Sequence, residues 1–145
     1  MSNPLRVGVI GCGGIAQIMH LHFLYTQPEL FSLRALSDIS PGVLRAMGER
    51  YHVSESARFA RYQDLVAQEL DVVMVLTGGN HYAQIIAALQ AGKHVFSEKP
   101  LCYSTHEADE IVRVAQSVKR KVMVGYMKRY DPGYQYAQAR LQEMS

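Results

Sequence analysis

Six short apolar runs alternate with six segments of helical periodicity along almost the whole chain, and this alternation constrains the fold most. The run DVVMVLT at 71–77 is continuously apolar, as in strands that are buried on both faces of a parallel sheet. Short connections between strand and helix favour an α/β fold with a doubly wound parallel sheet of about six strands. The predicted strands cover 5–10, 32–38, 57–62, 71–77, 93–99 and 121–127, and the predicted helices cover 14–26, 40–51, 63–69, 80–92, 104–118 and 135–144.

Length and composition agree with one globular domain. The chain has 145 residues, of which 48% are hydrophobic and 19% are charged. A formal net charge of +2 without a long cationic run gives little attraction to a polyanion, so no nucleic-acid partner is expected. No apolar run reaches the roughly 18 residues that span a bilayer, so we expect no membrane association and a cytoplasmic location. Cys12 and Cys102 are expected to be reduced thiols.

Ligands of doubly wound sheets bind beyond the carboxyl ends of the strands, so the residues directly after each strand are the candidates for a site. The first predicted strand is followed by GCGGIA, in which Gly11, Gly13 and Ala16 match the pattern G-x-G-x-x-A. The first glycine permits a tight turn, the second lets a pyrophosphate approach the backbone, and the small third residue lets helix and strand pack closely. Amide groups from Gly13 through Gly14 to Ile15 would then face the phosphates.

Asp38 ends the second predicted strand, where an acid is expected to accept hydrogen bonds from an adenosine ribose. Ile39 and Ser40, which follow, provide no cation for a 2′-phosphate, so NAD is favoured over NADP as cofactor. Arg45, one turn into the next helix, could reach back toward that phosphate. Helix capping is the alternative role for Asp38.

The fourth predicted strand ends in TGGNH, which supplies Thr77, Gly78, Asn80 and His81 as candidate cofactor contacts. Two glycines allow a ligand to approach the backbone closely, and the polar residues stand at the start of a helix. A turn followed by a helix cap explains Asn80 equally well.

The fifth predicted strand ends in Glu98-Lys99-Pro100, and Tyr126 follows the sixth. Lys99 is the candidate catalytic residue, because its position is close to the nicotinamide end of a dinucleotide laid across the sheet. Its cation could hold the reacting oxygen of a substrate or donate to the carboxamide. Glu98 could orient or neutralise this lysine, and an ordinary surface ion pair is the alternative. His20 and His22 lie two residues apart on a helix, so no metal site is predicted.

With these residues in view, the chain resembles the N-terminal domain of the Gfo/Idh/MocA oxidoreductase family. The resemblance spans essentially the whole chain and rests on VGVIGCGGIA, ALSD, AALQAGKHVFSEKPL and VGYMKRYDP in this order. It implies a Rossmann domain that binds NAD or NADP, and hydride transfer between the nicotinamide and a carbinol carbon of a sugar, polyol or related compound. It also implies that Lys99 contacts cofactor and substrate and that the Lys99-Pro100 peptide is cis.

Two features depart from the family pattern. Thr77 and His81 are four positions apart, with glycines between them, whereas the family has Thr-Pro-Asn and a histidine five positions after the threonine. Family members are also more than twice as long and continue into a second α/β domain. We therefore expect a dinucleotide-binding domain at 1–127 and, at 128–145, a crossing helix that would lead to that second domain.

Three functions stay open from the sequence. The first is the cofactor domain of an NAD-dependent oxidoreductase, which would need a second domain to act on a sugar or polyol. The second is a non-enzymatic NAD-binding sensor or regulatory module that acts as an oligomer. The third is a domain for a different nucleotide or an acyl carrier. An apolar surface left without the second domain also predicts a homo-oligomer.

Overall fold

The six predicted strands form one sheet in which every neighbouring pair is parallel. The computed structural model describes residues 3–144. Its strand order is β3-β2-β1-β4-β5-β6, so the direction of strand addition reverses between β1 and β4. This arrangement confirms the doubly wound α/β prediction. The strands are β1 (Leu5–Ile10), β2 (Phe31–Ser37), β3 (Arg58–Phe59), β4 (Val72–Val75), β5 (His94–Ser97) and β6 (Val122–Val124).

Helices connect successive strands, as the sequence predicts. The first predicted helix, over 14–26, is divided into a π-helical segment at Ala16–His20 and a regular helix that continues it. No helix within residues 3–144 has the length and apolar character that crossing a bilayer requires. The α-helices are α1 (Leu21–Thr26), α2 (Pro41–Arg50), α3 (Tyr62–Val66), α4 (Tyr82–Gln90), α5 (Thr105–Ser117) and α6 (Pro132–Glu143).

Two apolar layers enclose the sheet, one on each face. Leu21 of α1 and Leu44 of α2 pack on the first face. Leu65 of α3, Ile85 of α4 and Ile111 of α5 pack on the second face. Because both faces of the central strands are covered, β4 contains only apolar residues, as the continuous run predicts.

The two edge strands, β3 and β6, are shorter than the sequence predicts. β3 pairs only with the end of β2, and β6 pairs with three residues of β5. The internal strands β4 and β5 are also shorter than predicted, by three residues each. After β6 the chain turns through a 3₁₀ segment at Met127–Tyr130 into α6. Asp131 caps α6 by accepting a hydrogen bond from the Gly133 N–H at 3.0 Å. Residues 1–2 of the predicted domain and residue 145 of the predicted crossing helix lie outside the described residues.

Candidate functional site

The loop after β1 is held against the ends of the neighbouring strands. Gly11 has φ +90°, and a Cβ there would lie 2.8 Å from the Thr77 nitrogen at the end of β4. The Gly11 N–H donates to the Ser37 carbonyl at 2.8 Å, which ties the loop to β2. Glycine is therefore required both by the backbone conformation and by the approach of a second backbone segment.

Gly13 and Gly14 face open space, since a Cβ at either position would have no neighbouring atom within 4 Å. Ala16 lies fully buried beneath them, and Ile15 remains 42% exposed. The small residue at Ala16 thus packs the helix on the sheet while the two glycines leave the backbone accessible to a ligand. This is the division of roles that the glycine pattern predicts.

Asp38 is bonded to the glycine loop. Its Oδ2 accepts a hydrogen bond from the Cys12 N–H at 2.7 Å, and its Oδ1 accepts one from the Ser40 N–H at 2.8 Å. Ser40, not Asp38, caps α2 through a contact to the Val43 N–H at 3.5 Å. An ionised carboxylate has about four acceptor positions, so two remain for other donors such as ribose hydroxyls. Burial raises the pKa of the adjacent Cys12 thiol to about 12, with the charge of Asp38 adding to the effect.

His81 connects the ends of β4 and β5 inside the protein. The side chain is fully buried, and its Nε2 lies 2.7 Å from the Thr77 carbonyl oxygen. Its Nδ1 lies 3.0 Å from Ser97 Oγ and 2.8 Å from the Glu98 carbonyl oxygen. Because both ring nitrogens contact protein atoms, His81 holds the end of β4 to the end of β5, and its side chain is not exposed to a ligand.

Asn80 joins the start of α4 to α5. Its Oδ1 accepts from the Tyr82 N–H at 2.9 Å, and its Nδ2 donates to Glu107 Oε1 at 2.8 Å. The Asn80 hydrogen bond is the main reason that the pKa of Glu107 lies below its usual range. These contacts match the turn-and-cap alternative for Asn80.

A cleft of about 680 Å³ opens at the carboxyl ends of β1, β2, β3 and β4. Two buried oxygens in residues that line it, Thr77 Oγ1 and Gln84 Oε1, have no hydrogen-bond partner within the described part of the chain. Buried polar atoms are normally paired, so such atoms beside a cleft fit a polar ligand. Six of the residues that the sequence predicts as cofactor contacts line this cleft: Gly11, Gly13, Asp38, Ile39, Thr77 and Gly78.

The segment after β3 also lines this cleft, through Ala60, Arg61, Tyr62 and Gln63. These residues and Gln84 were not among the predicted contacts. The strand-end rule points to Gln63 alone, because the predicted strand covers 57–62. Ala60, Arg61 and Tyr62 lie inside that predicted strand, and they follow a strand only because the observed β3 ends at Phe59. Gln84 carries no such signal, since only the packing of α4 against the sheet brings its side chain to the cleft.

Glu98 and Lys99 lie outside this cleft, at the end of β5 beside it. The Lys99-Pro100 peptide is cis, as the family resemblance implies. Glu98 does not pair with the Lys99 ammonium, so the alternative of a surface ion pair is not seen within the described residues. Its Oε1 lies 2.9 Å from His20 Nε2, and its Oε2 accepts a hydrogen bond from the Lys99 backbone N–H at 3.2 Å. The carboxylate instead contacts the His20 ring and the main chain of Lys99.

Tyr126 stands farther along the same edge, after β6. Its side chain is 47% exposed, and the Arg129 guanidinium carbon lies 5.9 Å from the ring centre. Tyr126 is not part of the cleft lining. Among residues 3–144 there is no group of three or more His, Cys, Asp or Glu side chains arranged to hold a metal ion.

Comparisons with known proteins agree with this fold. The model of the Gfo/Idh/MocA oxidoreductase family, described as an NAD-binding Rossmann fold, matches residues 5–126. An inositol 2-dehydrogenase/D-chiro-inositol 3-dehydrogenase from Shouchella clausii is 37% identical over 97% of this chain and 41% of its own length.

Two solved structures show the same fold. The scyllo-inositol dehydrogenase of Lactobacillus casei with NAD(H) and scyllo-inositol superimposes with a TM-score of 0.85 at 29% identity, over 97% of this chain and 41% of the other. A 3-ketoreductase from Actinomadura kijaniata in complex with NADP gives a TM-score of 0.85 at 30% identity, over 97% and 44%. The chain therefore spans about 40% of the length of the relatives that it matches.

Proposed function

Because this chain belongs to the Gfo/Idh/MocA oxidoreductase family, we propose that it binds a nicotinamide adenine dinucleotide at the carboxyl ends of β1, β2 and β4. One observation carries the proposal: the open glycine backbone, the Asp38 carboxylate and the unpartnered Thr77 oxygen surround a single cleft at the point where the strand order reverses. This is where doubly wound sheets bind their ligands.

Each part of the site has a distinct task in this proposal. The backbone at Gly13 and Gly14 faces the pyrophosphate, because nothing else occupies the space beside it. Asp38 accepts hydrogen bonds from the adenosine ribose with the acceptor positions that Cys12 and Ser40 leave free.

We propose NAD as the preferred cofactor. Asp38 brings a negative charge to the place where NADP would carry its 2′-phosphate, and Ile39 beside it is 92% exposed and uncharged. Arg61 also lines the cleft and provides a cation there, so weaker binding of NADP is compatible with the site.

Lys99 is the proposed catalytic residue. When bound, the nicotinamide supplies the hydride donor or acceptor. Lys99 is exposed at the end of β5, and its ammonium has no hydrogen bond or ion pair to another residue within 3–144. A free cation there can hold the oxygen of a carbinol or carbonyl group at the reacting carbon.

The proposed substrate is a sugar, polyol or related compound that reacts at a carbinol carbon. Similarity to inositol dehydrogenases supports this class. The chain spans about 40% of those relatives, so we propose that turnover requires a second domain that contributes the rest of the substrate pocket. Helix α6, none of whose residues is buried, is the proposed crossing helix toward that domain.

We further propose that the chain by itself forms a dimer or higher oligomer, and we place it in the cytoplasm on the sequence argument. Large apolar side chains remain exposed on β6, on the 3₁₀ segment after it and on α6, namely Met123, Met127 and Leu141. Exposed apolar surface favours association. Sedimentation velocity at high protein concentration tests this proposal, and a monomer there would contradict it.

Fluorescence titration with NADH and NADPH tests the cofactor proposal. We expect saturable binding of NADH, with NADPH weaker, and a loss of about tenfold in NADH affinity for Asp38→Asn because a charged acceptor is removed. Asp109→Asn, an exposed position on α5, is the matched control and should bind like the unchanged protein.

Absence of saturation by both cofactors near about 1 mM, where the binding free energy is only about 4 kcal/mol, would exclude the proposal. Thermal unfolding of each variant must accompany the titration, since Asp38 also bonds two backbone amides. Cofactor binding without turnover of any polyol by a chain that includes the second domain would favour the non-enzymatic sensor.

A further inference from the structure

A chain of contacts outside the cleft connects the π-helical segment to Lys99. His20, the last residue of that segment, places its Nε2 at 2.9 Å from Glu98 Oε1. The other oxygen of the same carboxylate, Oε2, accepts a hydrogen bond from the Lys99 backbone N–H at 3.2 Å. The Glu98 carboxylate thus links the π-helical segment to the backbone of the candidate catalytic residue.

The pair is enclosed on several sides. The side chains of His20 and Glu98 are 18% and 15% exposed. The ring of Phe96, on β5, meets the His20 ring edge to face with 5.4 Å between centroids. At the end of β6, a Cβ on Gly125 would come within 3.4 Å of Glu98 Oε1. Because little water reaches this carboxylate, its hydrogen bonds are worth more than those of an exposed pair.

The π-helical turn contributes to this arrangement. The Leu21 N–H donates to the Ala16 carbonyl, five residues back, where a regular helix would bond four residues back. A turn with one additional residue rotates the side chains that follow it relative to a regular helix. His20 ends the turn, facing β5, while His22, two residues farther along, is exposed.

We propose that His20 is a positioning residue for Lys99, which it holds through Glu98. The imidazole fixes the carboxylate, and the carboxylate fixes the Lys99 main chain at the end of β5. Neither contact uses the Lys99 ammonium, so the cation stays available while the base of its side chain is immobilised. This inference rests on the proposed function, because it assumes that Lys99 faces the nicotinamide end of the cofactor.

Two substitutions of His20 separate its hydrogen bond from its bulk. His20→Leu keeps an apolar side chain but removes the donor to Glu98. His20→Gln keeps a nitrogen donor at a similar distance from the backbone and should restore the contact. His22→Leu makes the same chemical change at the exposed position on α1 and is the matched control. Thermal unfolding of all three variants shows whether each one folds.

The first measurement is hydrogen exchange at the Lys99 amide, followed by NMR on the chain without ligand. In His20→Leu we expect that amide to exchange at least about tenfold faster, since an unsupported carboxylate holds it less well. His20→Gln and His22→Leu should exchange like the unchanged protein. Equal exchange rates in His20→Leu and the unchanged protein would overturn the inference without affecting the proposed function.

The second measurement compares affinities for NADH and for ADP-ribose, which lacks the nicotinamide. We expect His20→Leu and Lys99→Met to weaken NADH binding about tenfold and to leave ADP-ribose binding within about twofold, because only the nicotinamide end depends on Lys99. A loss for Lys99→Met without one for His20→Leu would overturn the positioning role. Failure of the unchanged protein to bind NADH would overturn the proposed function instead, and the inference with it.

Discussion

Substitution of two glycines in the same loop should separate stability from cofactor binding. In Gly11→Ala the new Cβ meets the Thr77 nitrogen at 2.8 Å and the Leu76 carbonyl carbon at 2.9 Å, and the residue must keep φ +90°. The left-handed conformation costs about 1–2 kcal/mol, and overpacking against backbone adds about 1–3 kcal/mol. We therefore expect the free energy of unfolding to fall by roughly 2–5 kcal/mol.

Gly13→Ala should behave in the opposite way. Its Cβ enters open space, and no left-handed φ is required, so the change should leave stability equal or raise it by up to about 1 kcal/mol through the unfolded state. The same methyl group lies where the pyrophosphate is proposed to approach. We expect NADH affinity to fall at least about tenfold, which corresponds to about 1.4 kcal/mol.

Urea unfolding followed by circular dichroism measures the first effect, and NADH fluorescence titration measures the second. Gly42→Ala is the matched control, because its Cβ also enters open space but inside α2, away from the cleft. It should raise stability by about 0.5–1 kcal/mol and leave NADH binding unchanged. The reasoning is wrong if Gly13→Ala unfolds as easily as Gly11→Ala, or if it binds NADH as tightly as the unchanged protein.

Three further predictions concern stability and reactivity. Hydrogen bonds from Arg6 lower the pKa of Asp71 from its ordinary 3.8 to about 2, so the contribution of Asp71 to stability is complete above about pH 4 and is lost as the pH falls toward 2. In acid unfolding, Asp71→Asn should accordingly lose less stability than the unchanged protein between about pH 4 and pH 2. Ser104→Ala removes the N-terminal cap of α5 and should cost about 1 kcal/mol in urea unfolding. Iodoacetamide at pH 8 should label Cys102 and leave Cys12 unmodified until the chain unfolds, because the Cys12 thiol is buried and its pKa is raised to about 12. Mass spectrometry distinguishes the two cysteines, and early labelling of Cys12 would contradict its burial.

Local patterns predicted most of the elements and the position of the cleft. The apolar run of β4 and the helical periodicity of α2 and α5 each depend on neighbours within a few residues, so they can be recognised in the sequence. Strands were predicted too long, β4 and β5 as well as those at the edges, since the point where pairing ends depends on the neighbouring strands.

Side-chain roles were predicted less well than positions. Glu98 was expected to orient or neutralise Lys99, but its side chain contacts His20, 78 residues earlier in the chain. His81 was correctly placed at the strand end, yet its ring is directed into the protein, toward Ser97. A strand-end position can be counted along the sequence, whereas the direction of a side chain depends on which segments surround it.

The amino-acid sequence by itself determined that this chain alternates strands and helices, carries a dinucleotide-binding glycine pattern and ends its fifth strand in Glu98-Lys99-Pro100, because these features depend on local periodicity and spacing. Only the tertiary structure decided that Arg61 and Gln84 line the cleft and that His20 holds Glu98. Those contacts join elements far apart in the chain, and they exist only after the parallel sheet has brought the ends of its strands to one edge.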